Sequence, residues 1–423
     1  MTNNDKETNG MSFSERMADA LSRIAGPMAS FAKLPSISAI QEGLMSSIPI
    51  TIAGSLFLIL TMLSAVIPPL TQYMDSILNV YSMTLGFIGF YVAYAIAHSY
   101  GEKLGLDTKL SGLIGILAFF FICYDDVSAG MLSTSYFGST GMFVAMVASI
   151  VSIRIYKFFI DRKIVIKLPD GVPPSVGNSF SSLIPVTVII TLAWFIRSIL
   201  KIDLAVIVMN FFTPLLSGAD SLGFYTLIMF LTLLLWSIGL NGPSMLAAIT
   251  TPIVTNALAC NAAAKVAGES MQYIWTSEFN YSYLWLCSIY PLLLLLVLSK
   301  SKTFKAVGIA SIPSAIFNII EPVVFGLPLV MNAYLMIPFV ISGTVGCALS
   351  YFLTMIGFVG KAFIDVPFVT PPFVAGFLIS GDWKALIAQI ITFVIGVIIY
   401  LPFFKIFEKK TLEEERNAEN ENG

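Results

Sequence analysis

Nine stretches of apolar, mostly uncharged residues recur along the chain, at 48–68, 80–97, 110–123, 141–159, 182–200, 221–240, 281–299, 333–358 and 385–404. A helix needs about 20 such residues to cross a hydrocarbon core of roughly 30 Å. Only helices and closed barrels satisfy every backbone polar group at that depth. The pattern therefore predicts an all-α polytopic membrane protein, with the lipid bilayer as its main solvent. Composition agrees: 57% of the 423 residues are hydrophobic and 11% are charged, against about one quarter charged in a soluble domain. The formal net charge of −2 argues against nucleic acid, which calls for a clustered basic surface.

The first 47 residues are polar and amphipathic. They lack a basic head followed by a short apolar core and a small-residue cleavage site, so no leader is expected to be removed. Among them Phe13, Met17, Leu21, Ile24, Met28 and Phe31 fall at helical spacing between charges. That fits a helix lying in the membrane interface, and equally a soluble helix packed on the rest of the protein. Lys103 and Lys109 follow the second stretch, Arg154, Lys157, Arg162, Lys163 and Lys167 end the fourth, and Lys405, Lys409 and Lys410 close the last, while Asp125 and Asp126 sit after the third. Short cytoplasmic loops collect Lys and Arg, so both termini are expected in the cytoplasm. Residues 405–423 read as a disordered cytoplasmic tail.

The polar, basic stretch 161–180 is the clearest internal boundary and is expected to link an N-terminal membrane domain, 48–160, to a second one, 181–404. Residues 204–218 are too short to span comfortably and fit a helix along the outer surface. Two further apolar stretches, 244–264 and 307–330, are interrupted by Pro, Gly and Asn. Unwound backbone at membrane depth is tolerated where protein or a watery cavity satisfies it, and transporters place it around the substrate. The later block is therefore where a site is expected.

From Ala306 to Gly360 the single charged residue is Glu321, in the run from Asn318 through Pro322 and Gly326 to Pro328. A carboxylate at that depth is costly unless it is paired or faces water. Beside a proline that removes a backbone donor, it suggests a re-entrant tip offering a strong acceptor and neutral amides to the hydroxyls of a sugar. The alternative is a structural carboxylate capped by neighbouring amides. Asn241, next to Gly242 and Pro243, either reaches a ligand or satisfies a broken helix end. His98 is the one histidine, read as a polar anchor at the interface, and Arg197 is read as snorkelling to the surface. Cys123, Cys260, Cys287 and Cys347 have no metal or redox spacing and read as packing residues. No dyad, triad or metal set points to a self-contained enzyme, and no cofactor is called for.

Three segments together resemble one family. Leu168 to Phe180 (LPDGVPPSVGNSF), Glu321 to Asn332 (EPVVFGLPLVMN) and Val366-Pro367 with Thr370-Pro371-Pro372 are similar to segments of the lactose/cellobiose/diacetylchitobiose family of phosphotransferase-system IIC permeases, and the resemblance runs in order over about 39–404. It implies a bacterial inner-membrane permease subunit that binds and translocates a β-linked disaccharide or a relative. The implied fold has about ten transmembrane helices and two re-entrant hairpins, with an N-terminal domain that forms a homodimer and a C-terminal transport domain that moves as an elevator. Glu321 would hydrogen-bond the sugar hydroxyl destined for phosphorylation, and Asn241, Asn318, Asn332 and Phe368 would share its site. The phosphoryl donor would be a cysteine of a IIB protein. No sequence like its glycine-rich loop occurs here, so a separate polypeptide is expected to supply it.

Four positions depart from the family pattern. Asn241 stands where a histidine is expected, Ile320 where an asparagine is, and Phe368 where a tryptophan is, while Asn280 to Trp285 replaces a Gly-Gly-x-Gly segment. An amide cannot serve as a base near neutral pH. The alternative function is thus a divergent sugar-binding sensor or facilitator that has lost coupling to phosphorylation.

Overall fold

The computed structural model describes residues 30–421 except 65–66, 125–135, 167–173, 328 and 330–331. The expectations for residues 13–29, for Asp125 and Asp126, and for the first half of the Leu168 motif lie outside the described residues.

All regular structure among the described residues is helical. In chain order the helices are α1 (Pro35–Leu63), α2 (Met74–Met83), α3 (Ile88–Lys103), α4 (Thr108–Cys123), α5 (Met142–Asp161), α6 (Pro174–Trp194), α7 (Leu204–Ala219), α8 (Leu222–Ser237), α9 (Gly242–Ala267), α10 (Ser277–Ser288), α11 (Tyr290–Val297), α12 (Lys302–Ala315), α13 (Glu321–Gly326), α14 (Ala333–Met355), α15 (Pro372–Ser380) and α16 (Lys384–Glu421). Eight helical stretches among the described residues are long and apolar enough to cross a membrane, or nine with one bent pair counted as a single span. Each of the nine stretches expected from the sequence is mostly helical over its described residues.

Local sequence sets the helix ends. Side-chain oxygens of Asp107, Thr276 and Ser301 accept from the backbone N–H of Leu110, Phe279 and Phe304 at 2.9, 3.2 and 3.2 Å, which caps α4, α10 and α12 and occupies donors that have no partner within the helix. Gly381, in the left-handed region at φ 65°, ends α15 as only a residue without a Cβ does cheaply.

Packing divides the chain into two compact units, one of 32–218 with 248–272, the other of 219–247 with 273 onward. The boundary expected at 161–180 is not where the packing divides. Helix α6 packs on α4 and α5, and the later part of α9 is tied to the first unit by Asn256, fully buried, whose amide donates to the Ser139 carbonyl at 2.8 Å. Charge and hydropathy reveal that a helix is buried, not which neighbour buries it. Within the first unit a Cβ at Gly43 would fall 2.4 Å from an Ile96 side-chain carbon, so α1 and α3 approach closely only through glycine. Arg197 does more than snorkel: it pairs with Asp203 at 2.6 Å and donates to the Tyr124 carbonyl at 3.3 Å. All four cysteines are free.

In the second unit, Gly346 lets α14 lie against Cys287 of α10. The amide of the fully buried Gln389 on α16 donates to the Ser282 carbonyl at 3.0 Å and to the Pro372 carbonyl at 2.8 Å, joining three helices. The disordered tail expected after 404 is helical, since α16 continues to Glu421. Glu408 accepts from the Ser299 hydroxyl at 2.5 Å and Lys300 N–H at 2.7 Å, and Glu415 from the Ser301 hydroxyl at 2.7 Å and Thr303 N–H at 2.9 Å. Two acids two turns apart thus fasten the tail to the loop that opens α12, which composition alone could not foretell.

Candidate functional site

The five candidate site residues all lie in the second unit. Asn318 ends the chain's run out of α12 and adopts φ 60°, a left-handed conformation that asparagine tolerates better than most residues. It is 6% exposed. Its amide nitrogen donates to the Phe368 carbonyl at 2.8 Å and the Thr370 carbonyl at 3.0 Å, and its oxygen accepts from the Tyr290 hydroxyl at 3.0 Å. Every strong hydrogen-bonding group of that side chain is used by the protein. Asn318 therefore acts as a bridge between α11, the α12–α13 turn and the 366–372 loop, rather than as a group free to meet a ligand.

Three residues after Asn318 the chain enters α13, six residues opened by Glu321 and Pro322. Glu321 is exposed, and among the described residues its carboxylate has no hydrogen-bond or ion-pair partner. Among the described residues no amide caps it. A carboxylate is acceptor-only and can take several hydroxyl donors at once.

Phe368 is 56% exposed and Tyr281, on α10, 44%, with ring centroids 6.5 Å apart. Asn318 holds the backbone of one of these rings and lies three residues from Glu321, so the bridge, the ring pair and the carboxylate form one neighbourhood. Asn241 and Asn332 play cap roles: their side-chain oxygens accept from Ser244 and Tyr334 N–H, each at 3.0 Å, at the starts of α9 and α14. No hydrogen bond among the described residues joins either to Glu321 or Phe368. Among the described residues neither side-chain amide has an acceptor, which leaves each able to donate.

Sequence reasoning passed over a buried acid beside this neighbourhood. Glu278, in the first turn of α10, is 2% exposed. It accepts from Val366 N–H at 3.3 Å. The signal was the one that drew attention to Glu321, an isolated acid next to an apolar helix, hidden here because the aromatic run that follows it held the eye. Asp220 is a second such acid, accepting from Ile274 and Trp275 N–H at 2.9 and 2.8 Å and from the Tyr351 hydroxyl at 3.2 Å. Those three donors account for it as a structural pin.

In the first unit a cavity of about 530 Å³ is lined by Glu42, Tyr91, Tyr94, His98 and Glu102, among others. Glu42 is already taken by Lys103 at 2.7 Å and the Ser99 hydroxyl at 2.5 Å. His98 packs its ring 5.8 Å from Tyr94, consistent with an anchoring role. No group of three or more metal-ligating side chains occurs among the described residues.

Comparison with known proteins places this architecture. Residues 41–343 match the family model of the phosphotransferase system EIIC. The putative permease IIC component YwbA of Bacillus subtilis is 33% identical, with 96% of this chain and 98% of the relative covered. The cellobiose-specific EIIC component of Geobacillus stearothermophilus is 31% identical, with 96% of each covered. The crystal structure of the transporter ChbC, the IIC component of the N,N'-diacetylchitobiose-specific phosphotransferase system, superposes with a TM-score of 0.81 at 30% identity, covering 92% of this chain and 97% of that one. The chain belongs to the phosphotransferase-system EIIC family, the membrane-embedded sugar permease components of that bacterial system.

Proposed function

We propose that the transported sugar is a β-linked disaccharide or a close relative, bound so that one hydroxyl hydrogen-bonds Glu321 and is presented to the phosphocysteine of a separate IIB protein. The observation that carries this reading is the Glu321 carboxylate, exposed and, among the described residues, without a hydrogen-bond or ion-pair partner at the proline-broken entry to α13. A sugar hydroxyl supplies a donor that the described residues do not. Phe368 and Tyr281 offer apolar ring faces to the C–H surface of a pyranose, while the amide donors of Asn241 and Asn332 are of the kind that orients hydroxyls. Asn318 contributes by fixing the Phe368 backbone.

The broken segments around α12–α13 and 360–372 fit two re-entrant hairpins, and with them about ten crossings, both termini in the cytoplasm and an elevator movement of the part that carries Glu321. The helices within 48–160 would supply a homodimer surface. Uptake of cellobiose and diacetylchitobiose into cells lacking other permeases, with and without candidate IIB proteins, tests the assignment. Accumulation of sugar phosphate only when a IIB protein is present is expected; uptake of neither sugar under any combination would overturn it.

One observation favours a second reading. Asn241 spends its oxygen on capping α9, and an amide gives no base for the hydroxyl proton. A sugar-binding sensor or facilitator would bind the disaccharide and never yield its phosphate.

A further inference from the structure

We propose that a groove along α3 in the first unit binds one phospholipid of a single leaflet, selected by a primary ammonium headgroup of the ethanolamine type. The groove shares no residue with the proposed sugar site, and neither reading depends on the other.

Helices α1 and α4 both pack on α3, and all three line a cavity of about 530 Å³. Phe90, Tyr94, His98 and Glu102 of α3 line it together with Ile50 of α1 and Ile116 of α4. Residues four apart on a helix stand on one face, each a turn above the last. From Phe90 to Glu102 α3 therefore rises about 18 Å, slightly more than half of a hydrocarbon core of roughly 30 Å. The groove has the depth of one leaflet. A glycine shapes one of its walls: a Cβ at Gly112 would fall 2.4 Å from a ring carbon of Tyr94, so the bare backbone of α4 is what lets that ring lie across it. At the mouth, Glu42 of α1 pairs with Lys103 at 2.7 Å and accepts from the Ser99 hydroxyl at 2.5 Å, which holds α1 to the last turns of α3.

The order of the side chains is the order of the groups in such a lipid. Phe90, Ile50 and Ile116 give an acyl chain apolar surface. One and two turns beyond Phe90, the Tyr94 hydroxyl and the His98 ring can donate to phosphate oxygens, and Glu102, in the last turn, accepts from an ammonium. Among the described residues none of these three polar groups has a hydrogen-bond or ion-pair partner, and all three line the cavity. Charge decides the headgroup. No lysine or arginine lines the cavity, and Lys103 beside it is already paired with Glu42. An anionic headgroup would meet the Glu102 carboxylate with no free cation to hold it, and a choline headgroup has no N–H to donate. An ethanolamine headgroup supplies both the cation and the donor.

The test uses the full chain in phosphatidylcholine vesicles doped with an ethanolamine phospholipid that carries a photoreactive diazirine midway along one acyl chain. Cross-linked peptides mapped by mass spectrometry should fall around Ile50, Phe90 and Ile116. Excess unlabelled ethanolamine phospholipid should remove these cross-links, and the same excess of phosphatidylcholine or phosphatidylglycerol should not. Glu102→Gln should lower their yield about tenfold, the loss expected when a charge-assisted hydrogen bond to the ammonium goes. Its unfolding temperature in detergent should match the parent's, because Glu102 is exposed. If that variant does not fold, the headgroup competition in the parent decides alone. Equal competition by all three lipids would identify ordinary bilayer lipid and overturn the proposal, and so would an unchanged yield in folded Glu102→Gln. Absence of cross-links in the groove would overturn it too, and disulfide-linked dimers formed through Ile116→Cys would then assign the groove to a second copy of this chain.

Discussion

The side-chain amide of Asn318 donates to the Phe368 carbonyl at 2.8 Å across fifty residues of sequence. This bond, with its companion to Thr370 at 3.0 Å, sets the distance between the turn that leads to Glu321 and the loop that carries Phe368. Asn318→Asp keeps the size but has no N–H, and it turns a carboxylate toward two carbonyl oxygens. Leaving these part-buried acceptors unserved costs up to about 1–3 kcal/mol. The variant should unfold at lower temperature and bind sugar more weakly. Asn318→Gly relieves the φ 60° backbone but lacks the bridge, so it should recover part of the stability and none of the affinity. Equal affinity of parent and Asn318→Gly in calorimetry would remove the bridge from the site.

Glu321 behaves oppositely, since nothing in the protein among the described residues relies on its charge. Glu321→Gln should leave thermal unfolding unchanged within error while sugar affinity falls on the order of tenfold or more, because a hydrogen bond to a charged group contributes about 1.5–3 kcal/mol. A binding constant like that of the parent would sink the assignment of Glu321 as the hydroxyl acceptor.

How much of this was readable beforehand depends on range. The spans were legible because lipid demands long apolar helices, and the position of Glu321 stood out because a lone carboxylate in an uncharged stretch is conspicuous. Asn318 was visible as a candidate, but its role is that of a bridge, decided by two carbonyls fifty residues away. Glu278 and Val366 are joined by a hydrogen bond across 88 positions of sequence and meet only in the folded chain. Residues 405–421 looked polar enough to be unstructured, and their helix depends on donors near residue 300. Hydropathy likewise could not assign α6 or the later part of α9 to the first unit, since period and polarity say nothing about partners.

The tail clamp makes its own prediction. Glu415→Ala leaves the Ser301 hydroxyl and the Thr303 N–H without their acceptor at the start of α12. Loss of a cap of this kind costs about 0.5–2 kcal/mol. Trypsin should cleave after Lys409 or Lys410 several times faster in the variant than in the parent, with sugar binding preserved. Unchanged cleavage would mean the tail is held by its other contacts alone.

The Arg197–Asp203 pair should give the first unit a dependence on acid. Partial burial by itself would raise the Asp203 carboxyl, but the Arg197 guanidinium and the N–H groups of Val206 and Ala205 outweigh it and hold Asp203 below the ordinary carboxylate range. A depressed folded value means the stabilisation is complete above the unfolded carboxyl range, near about 3.9, and is lost as pH falls through the folded value. Asp203→Asn should lower the unfolding temperature at about pH 6 and narrow the gap between parent and variant at about pH 3. A gap that persists at the lower pH would show that the charge is not what stabilises.

Asn241 decides between the two functional readings. It stands exposed at the start of α9, its oxygen accepting from Ser244 N–H at 3.0 Å, so it can offer a sugar only its amide donors. A histidine there could take a proton near neutral pH, and general-base assistance is typically about 10²–10⁴-fold. Replacing the cap costs about 1 kcal/mol, which a folded membrane protein should survive. If the chain is a coupled permease that works without the base, Asn241→His in membranes supplied with its IIB protein should raise the rate of sugar phosphorylation and leave binding nearly unchanged. That outcome is expected, because Glu321 is exposed and, among the described residues, unpaired. If neither the parent nor Asn241→His phosphorylates any of a panel of mono- and disaccharides although one of them binds, the aromatic segment from Tyr281 to Trp285 has closed off productive geometry as well, and the chain is a sensor or facilitator.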